Sequence, residues 1–415
     1  MRILVDQSGY DLLNLGDVAM LQSCVARLRT QWPDAEIMVI AHDPRRLAFY
    51  CPGTIAIRTV ADSPLIRHFP RRSRLVYEQA WKLAAPYFSG RVGRRPAGQS
   101  RTAIQAVHAA DLVVAGGGAY VTDTWWWHAA GVLSLLSLAQ RLGKSTAMFG
   151  QGIGPMRLRA LRAQARAVLP GLTILGLRED QMGRDLALAF GVLPADVVVT
   201  GDDALELVGD SVAEGNALGL SVRVSGYAGV DIVTAVAVGD LMLEMAATLD
   251  TPIVPLPVSQ DAADAAVLHK LLQRKRGPAG PGVDDLTSPQ ELVAAAACCR
   301  VIVTGSYHAA VFGLAQGVPA VCLTKSSYYD AKFGGLQALF PGACSVVSLD
   351  TPDFPARLRA TIRQAWHLPA SARSTARDTA GRLRDAGREA YAQFRIKSEK
   401  NPARVSADGQ EGLVA

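Results

Sequence analysis

His308 follows the apolar run Val301–Thr304 and the pair Gly305-Ser306. A β-branched run of this kind reads as a buried parallel strand. The next segment reads as a helix that closes at Gly317-Val318-Pro319 before a second apolar strand, Ala320–Leu323. The imidazole therefore falls on the first helix turn of a β-α-β unit. In open α/β sheets ligands bind at that end of the strands, where helix N-termini point. The positive end of a helix favours neutral imidazole, and a bound dianion pulls its proton affinity back up. A histidine poised in this way suits general acid–base chemistry. A satisfied structural histidine is the plainer alternative.

Two arginines extend the argument. In Leu218-Gly219-Leu220-Ser221-Val222-Arg223-Val224 the even positions are apolar and the odd ones small or charged, which predicts a strand over 218–224. Arg223 then lies on the small-residue face near the carboxyl end of the strand. A guanidinium there requires a partner, either a bound carboxylate or phosphate or an acid of its own domain. Arg178, in Leu177-Arg178-Glu179-Asp180, stands at a predicted helix start, where a cation is unfavourable. Either a ligand or its acidic neighbours must justify it.

The glycine loops Gly116-Gly117-Gly118 and Gly150 to Gly154 would let backbone N–H groups approach a ligand. Neither is a Walker or dinucleotide fingerprint. Asp17 and Asp123 are carboxylates beside glycine-bearing loops, and Asp17 also reads as the cap of a helix running to about Gln31. Trp125-Trp126-Trp127 cannot share one helix face, so at least one indole should reach the surface, where it could stack on a sugar or a lipid. The seven histidines show no metal spacing, and no nucleophile elbow is present.

The elements that must position these residues alternate strand and helix twice. Strands are expected at 1–5, 36–40, 54–60, 111–115, 145–149, 172–177 and 196–199, then at 218–224, 253–256, near Val283, 301–304, 320–323 and 345–349. Helices are expected over 17–31, 132–142, 231–249, 261–274 and 353–395. Two such series in 415 residues predict two doubly wound Rossmann-like α/β domains facing a cleft. The boundaries are drawn at residues 1–208 and 209–350, with C-terminal helices over 351–396 and a polar, disordered tail over 397–415.

Composition narrows the class. Hydrophobic content of 49% with 19% charged residues fits a large α/β enzyme, not a disordered chain. The net charge of +6 is concentrated between Arg67 and Arg101 and suits an anionic substrate or a membrane surface; signatures of nucleic-acid binding are absent. Six cysteines without CxxC spacing read as free thiols of a reducing cytoplasm. No run approaches the ~18 apolar residues of a membrane span, and the N-terminus does not read as a secretory signal.

In order along the chain, Asn14-Leu15-Gly16-Asp17-Val18-Ala19-Met20-Leu21, Asp111 to Gly118, Gly150 to Pro155, Leu177 to Asp180, Asp202-Asp203-Ala204 and Gly305 to Lys332 resemble the motifs of the polysaccharide pyruvyl transferase family. The resemblance runs from residue 14 to residue 332. It implies a two-lobed fold similar to glycosyltransferase type B, with the acceptor on the N-terminal and the donor on the C-terminal domain. It also implies transfer of a pyruvyl group from phosphoenolpyruvate to a sugar as a ketal, in cell-wall or exopolysaccharide biosynthesis, without a cofactor or metal.

By carry-over Arg223 matches an anion-binding arginine, and His308 the catalytic histidine of the family's Arg-x-His element. Arg178, Ser306, Tyr307, Lys332, Asp17, Asn14, Gly117 and Gly118 are the remaining expected substrate contacts. The chain departs from the family at one point: Arg-x-His reads Ser306-Tyr307-His308. Loss of a charge-assisted contact costs roughly 1.5–3 kcal/mol. Lys325 or Lys332 could compensate, though a lysine is not an equivalent fork.

Two other readings fit the same pattern: a glycosyltransferase type B-like enzyme with a nucleotide-sugar donor, and a non-catalytic sugar-binding homologue. The expected partners are phosphoenolpyruvate and a sugar or lipid-linked glycan acceptor. The basic segment 67–101 is either a solvated loop or a peripheral contact with the inner face of the membrane.

Overall fold

The computed structural model describes residues 1–58, 102–209, 215–260, 262–273 and 282–400. The basic segment 67–101 and residues 401–415 lie outside the described residues. Two compact units are present, the first comprising Met1–Leu12, Met20–Asp203 and the chain from Asp385, the second Leu13–Ala19 and Ala204–Arg384.

In the first unit β1 (Arg2–Asp6) leads into α1 (Leu15–Gln31), whose opening turn is grouped with the second unit. There follow β2 (Glu36–Ile40), α2 (Pro44–Tyr50), β3 (Ile55–Ile57), α3 (Ala103–Ala109), β4 (Leu112–Ala115), β5 (Gly118–Val121) and α4 (Trp126–Arg141). The series ends with β6 (Ser145–Ile153), α5 (Arg159–Val168), β7 (Ile174–Leu177), α6 (Gln181–Ala189) and β8 (Val197–Val199). The described strands form one parallel sheet in the order β3-β2-β1-β4-β6-β7-β8, with β5 beside β6. Leu112–Ala115 and Ile174–Leu177 are buried throughout, as strands covered on both faces must be.

The second unit contains β9 (Ala217–Ser221), α7 (Ile232–Thr248), β10 (Ile253–Pro255), α8 (Ala262–Gln273), α9 (Pro289–Ala297), β11 (Cys299–Thr304), α10 (Tyr307–Ala315), β12 (Ala320–Thr324), α11 (Ser327–Leu339), β13 (Cys344–Ser348) and α12 (Phe354–Trp366). Its parallel sheet has the order β10-β9-β11-β12-β13. The long helix α13 (Ala370–Glu399) begins in this unit and ends in the first.

Strand order reverses once in each sheet, between β1 and β4 and between β9 and β11. At such switch points the two connections leave in opposite directions and open a crevice at the carboxyl ends. Gly116 N donates to Asp6 O at the first, 2.7 Å, and Gly305 N to Ser221 O at the second, 2.9 Å. The loops carrying Gly116–Gly118 and Gly305-Ser306 therefore sit at these reversals.

Several boundaries differ from the sequence reading. β6 runs on through Ile153, so most of the expected glycine loop is strand, held by pairing to β5 and β7. β9 stops at Ser221, which leaves Arg223 beyond the strand. Val283 lies at a turn and not in a strand. Asp17 does not cap α1: the helix starts at Leu15, and Asn14 Oδ1 accepts from Gly16 N at 2.9 Å and Asp17 N at 3.2 Å. α13 continues past residue 397, because Lys397 Nζ reaches Asp196 Oδ1 at 2.6 Å and holds the last turn.

Candidate active site

The second switch point gathers most of the expected residues in one unit. Thr304 ends β11, and its hydroxyl accepts from Ser306 N at 2.8 Å and donates to Ser306 O at 2.9 Å, fixing the turn. Ser306 is the N-cap residue of α10, yet its hydroxyl makes no capping bond. Tyr307 and His308 follow in the first helical turn, 3% and 5% exposed.

Gly305 has no side chain to hold Arg223 away. A Cβ there would lie 3.3 Å from Arg223 N and 3.4 Å from Arg223 Cβ. Arg223 is anchored on two sides: Nε donates to Tyr227 Oη at 2.7 Å, and Nη1 donates to Asp264 Oδ2 at 2.7 Å. The other Asp264 oxygen accepts from Val224 N at 2.7 Å, so one buried carboxylate sets both backbone and guanidinium. Burial disfavours the arginine's charge, but Tyr227 and Asp264 outweigh it and hold the pKa above its ordinary value. The guanidinium stays charged, with Nη2 left out of these bonds.

Residues 13–15 join the same unit from far away in sequence. Leu15 N donates to Val258 O at 2.8 Å, Gln260 N to Leu13 O at 2.9 Å, and Asn14 forms an antiparallel bridge with Ser259. This lays Gly16 directly on the imidazole, where an added Cβ would fall 2.0 Å from His308 Nδ1. Only glycine fits that approach. With His308 in the acid–base role the sequence suggests, Gly16→Ala is expected to displace the imidazole and lower turnover about a hundredfold, the cost of misplacing a reacting group by roughly 1 Å. A rate measurement beside a melting curve tests this: loss of rate with an unshifted Tm supports it, and an unchanged rate refutes it.

The two lysines differ in their surroundings. Lys325 Nζ donates to Thr234 Oγ1 at 3.0 Å and lies 4.0 Å from Asp231, at the start of α7. Lys332 Nζ instead stands 4.9 Å from the ring centre of Tyr307 and 5.6 Å from those of Tyr328 and Tyr329. Such aromatic faces stabilise an ammonium without neutralising it. Lys332 thus joins Arg223 beside the Ser306-Tyr307-His308 element.

Arg178, Gly117 and Gly118 belong to the first unit. Arg178 is fully buried, with Nε 2.8 Å and Nη2 3.3 Å from the Glu179 carboxylate and Nη1 3.6 Å from Asp202. This is the geometry of the ion-pair alternative. A Cβ on Gly117 would strike Met20 Sδ at 2.8 Å, and one on Gly118 would strike the Tyr120 ring at 2.6 Å. Both glycines are required by close packing around the first switch point. Asp17 is half-buried in the opening turn of α1.

Asp264 and Tyr227 were absent from the sequence reading. An acid in a helix's first turn looks like ordinary dipole complementation, and a tyrosine in a Gly-rich turn carries no spacing signal. The one usable clue was the demand of Arg223 for a partner. Among the described residues no group of three or more His, Cys, Asp or Glu side chains is placed to hold a metal ion.

The fold defines a class. The UDP-GlcNAc 2-epimerase from Neisseria meningitidis bound to UDP-GlcNAc is similar, with 11% identity, coverage of 95% of this chain and 99% of that one, and a TM-score of 0.56. The glycotransferase of kitacinnamycin matches at 14% identity over 97% and 98% with a TM-score of 0.52, and the UDP-GlcNAc 2-epimerase from Methanocaldococcus jannaschii at 11% over 93% and 99% with 0.52. At these identities the likeness establishes architecture alone, the α/β fold of glycosyltransferase type B proteins. The model of the polysaccharide pyruvyl transferase family matches residues 14–327. The chain belongs to that family, which places it among transferases of polysaccharide modification. No curated protein matches the sequence. No helix among the described residues is long and apolar enough to cross a membrane.

Proposed function

We propose that this chain transfers a pyruvyl group from phosphoenolpyruvate to a sugar, closing a ketal on two hydroxyls of a glycan or glycan precursor. The observation that carries this reading is the Arg223 guanidinium, held charged by Tyr227 and Asp264 beside Gly305, with His308 three residues further on. The reaction protonates the enol carbon of the donor, places positive charge on C2 and lets one sugar hydroxyl add there. A second hydroxyl then displaces inorganic phosphate. This needs cations for the donor's carboxylate and phosphate and a group that moves protons. Arg223 and Lys332 serve as the cations, His308 moves the proton, and Ser306, Tyr307 and Asn14 line the donor's end.

The test is phosphate release from phosphoenolpyruvate in the presence of sugar acceptors, run beside melting curves with millimolar phosphoenolpyruvate or uridine diphosphate. Stabilisation by phosphoenolpyruvate alone supports the donor. Stabilisation by uridine diphosphate alone replaces it with a nucleotide sugar, and binding without turnover of either supports a sugar-binding homologue.

The missing family arginine makes a separate prediction. Ser306→Arg is expected to tighten phosphoenolpyruvate binding about tenfold, from one regained charge-assisted contact. Calorimetric titration of the variant measures it; an unchanged Kd means that the anion does not reach this helix start. Contact of the basic segment 67–101 with the inner membrane face stays part of this proposal.

A further inference from the structure

The first unit exposes a surface that the proposed chemistry does not use. Trp125 and Trp127 are 38% and 40% exposed, and Leu158 is 44% exposed. They are close in space because Asp123 stitches their segments together: its carboxylate accepts from Arg157 N at 2.6 Å and Leu158 N at 3.1 Å, and its own N–H donates to Pro155 O. Thr122 Oγ1 donates to the same carbonyl at 2.9 Å. Trp127 stacks on Trp126, with ring centres 3.5 Å apart, and Trp126 in turn packs on the core. The exposed indole is therefore held outward on a rigid base.

Charge surrounds this apolar tip. Arg157 and Arg159 are exposed, and neither forms an ion pair among the described residues. Between residues 112 and 178 the sequence contains one acidic residue, Asp123, whose oxygens are taken by backbone N–H groups. α5 packs beside α4, with Gln164 Nε2 donating to Ala130 O and Ser134 Oγ at 2.9 Å, so the cationic helix start is fixed to the tryptophan-bearing element.

Exposed tryptophans with a leucine, beside uncompensated arginines, match the interfacial zone of an anionic bilayer. Indole rings sit at headgroup level there, and arginines are drawn to the negative surface. A neutral soluble glycan could use the indoles but would leave the charge of the two guanidinium groups unmatched. We infer that Trp125, Trp127 and Leu158, with Arg157 and Arg159, form a docking surface for an anionic membrane. This is independent of the donor chemistry.

The experiment is vesicle co-sedimentation of the full chain with phosphatidylcholine alone and with an equal mixture of phosphatidylcholine and phosphatidylglycerol. Binding is expected to the mixed vesicles only. Arg157→Glu/Arg159→Glu and, separately, Trp125→Ala/Trp127→Ala should each weaken it about tenfold or more, while melting temperature and phosphate release without vesicles stay unchanged. Three results overturn the proposal: equal binding to neutral vesicles, no loss in either double variant, or a dimer in light scattering that the tryptophan variant converts to monomer. Indole fluorescence that responds to soluble glycan and not to mixed vesicles would reassign the surface to sugar.

Discussion

His308→Ala is expected to lower phosphate release from phosphoenolpyruvate by about 10²–10⁴-fold, the usual contribution of a positioned acid–base group. The imidazole is 5% exposed, fixed from below by the first turn of α10 and from above by Gly16, whose backbone leaves no room for a Cβ. Arg223 reaches the same turn through Gly305. On the proposed roles, removing the imidazole takes out the proton-moving group and leaves the cations for the donor, so kcat should fall and a phosphoenolpyruvate-dependent rise in Tm should persist. His308→Gln, which keeps hydrogen-bonding capacity without acid–base chemistry, should fall as far. Full activity in the glutamine variant would mean that the imidazole only positions the turn. Loss of phosphoenolpyruvate binding in the alanine variant would mean that it is a ligand of the donor.

The second large effect concerns stability. Arg27→Ala is expected to destabilise the first unit by about 3–5 kcal/mol, the cost of leaving one partner of a buried ion pair unmatched. Arg27 and Asp203 side chains are 5% and 1% exposed, with Nη1 2.5 Å from Oδ1. The second Asp203 oxygen accepts from Tyr391 Oη at 3.2 Å, and the Tyr391 ring stacks on Phe149 with centres 3.7 Å apart. Close by, burial pushes the Cys24 thiol up to about 12, so no second charge arises there near neutral pH. The pair thus ties α1, the Asp202-Asp203 turn and α13 to the sheet. Urea unfolding should show a lowered midpoint for Arg27→Ala. The double variant Arg27→Met/Asp203→Asn should recover part of it, since no charge is then buried alone. Equal midpoints for the single variant and the parent chain would show that the pair is solvated in solution.

Much of this was legible in the sequence because it is local. The apolar run before Gly305 reads as a buried strand and the turn after it as a helix start, which puts His308 at a strand end. The repeated strand–helix alternation likewise pointed to two parallel sheets, and the ordered motifs between residues 14 and 332 pointed to the family whose model matches residues 14–327.

What depended on long-range contacts was not legible. Nothing local says that residues 13–15 pair with 258–260, or that Gly16 lies on an imidazole nearly three hundred residues later. Nothing local gives Arg223 its partner Asp264, or gives Arg178 the carboxylates of Glu179 and Asp202 together. Sequence alone therefore placed His308 and the Gly116–Gly118 loop at strand ends, because chain geometry and hydrophobic period act between neighbours. Tertiary structure alone decided which carboxylates the arginines meet, Asp264 for Arg223 and Glu179 with Asp202 for Arg178, because burial and ion pairing depend on what the fold brings near.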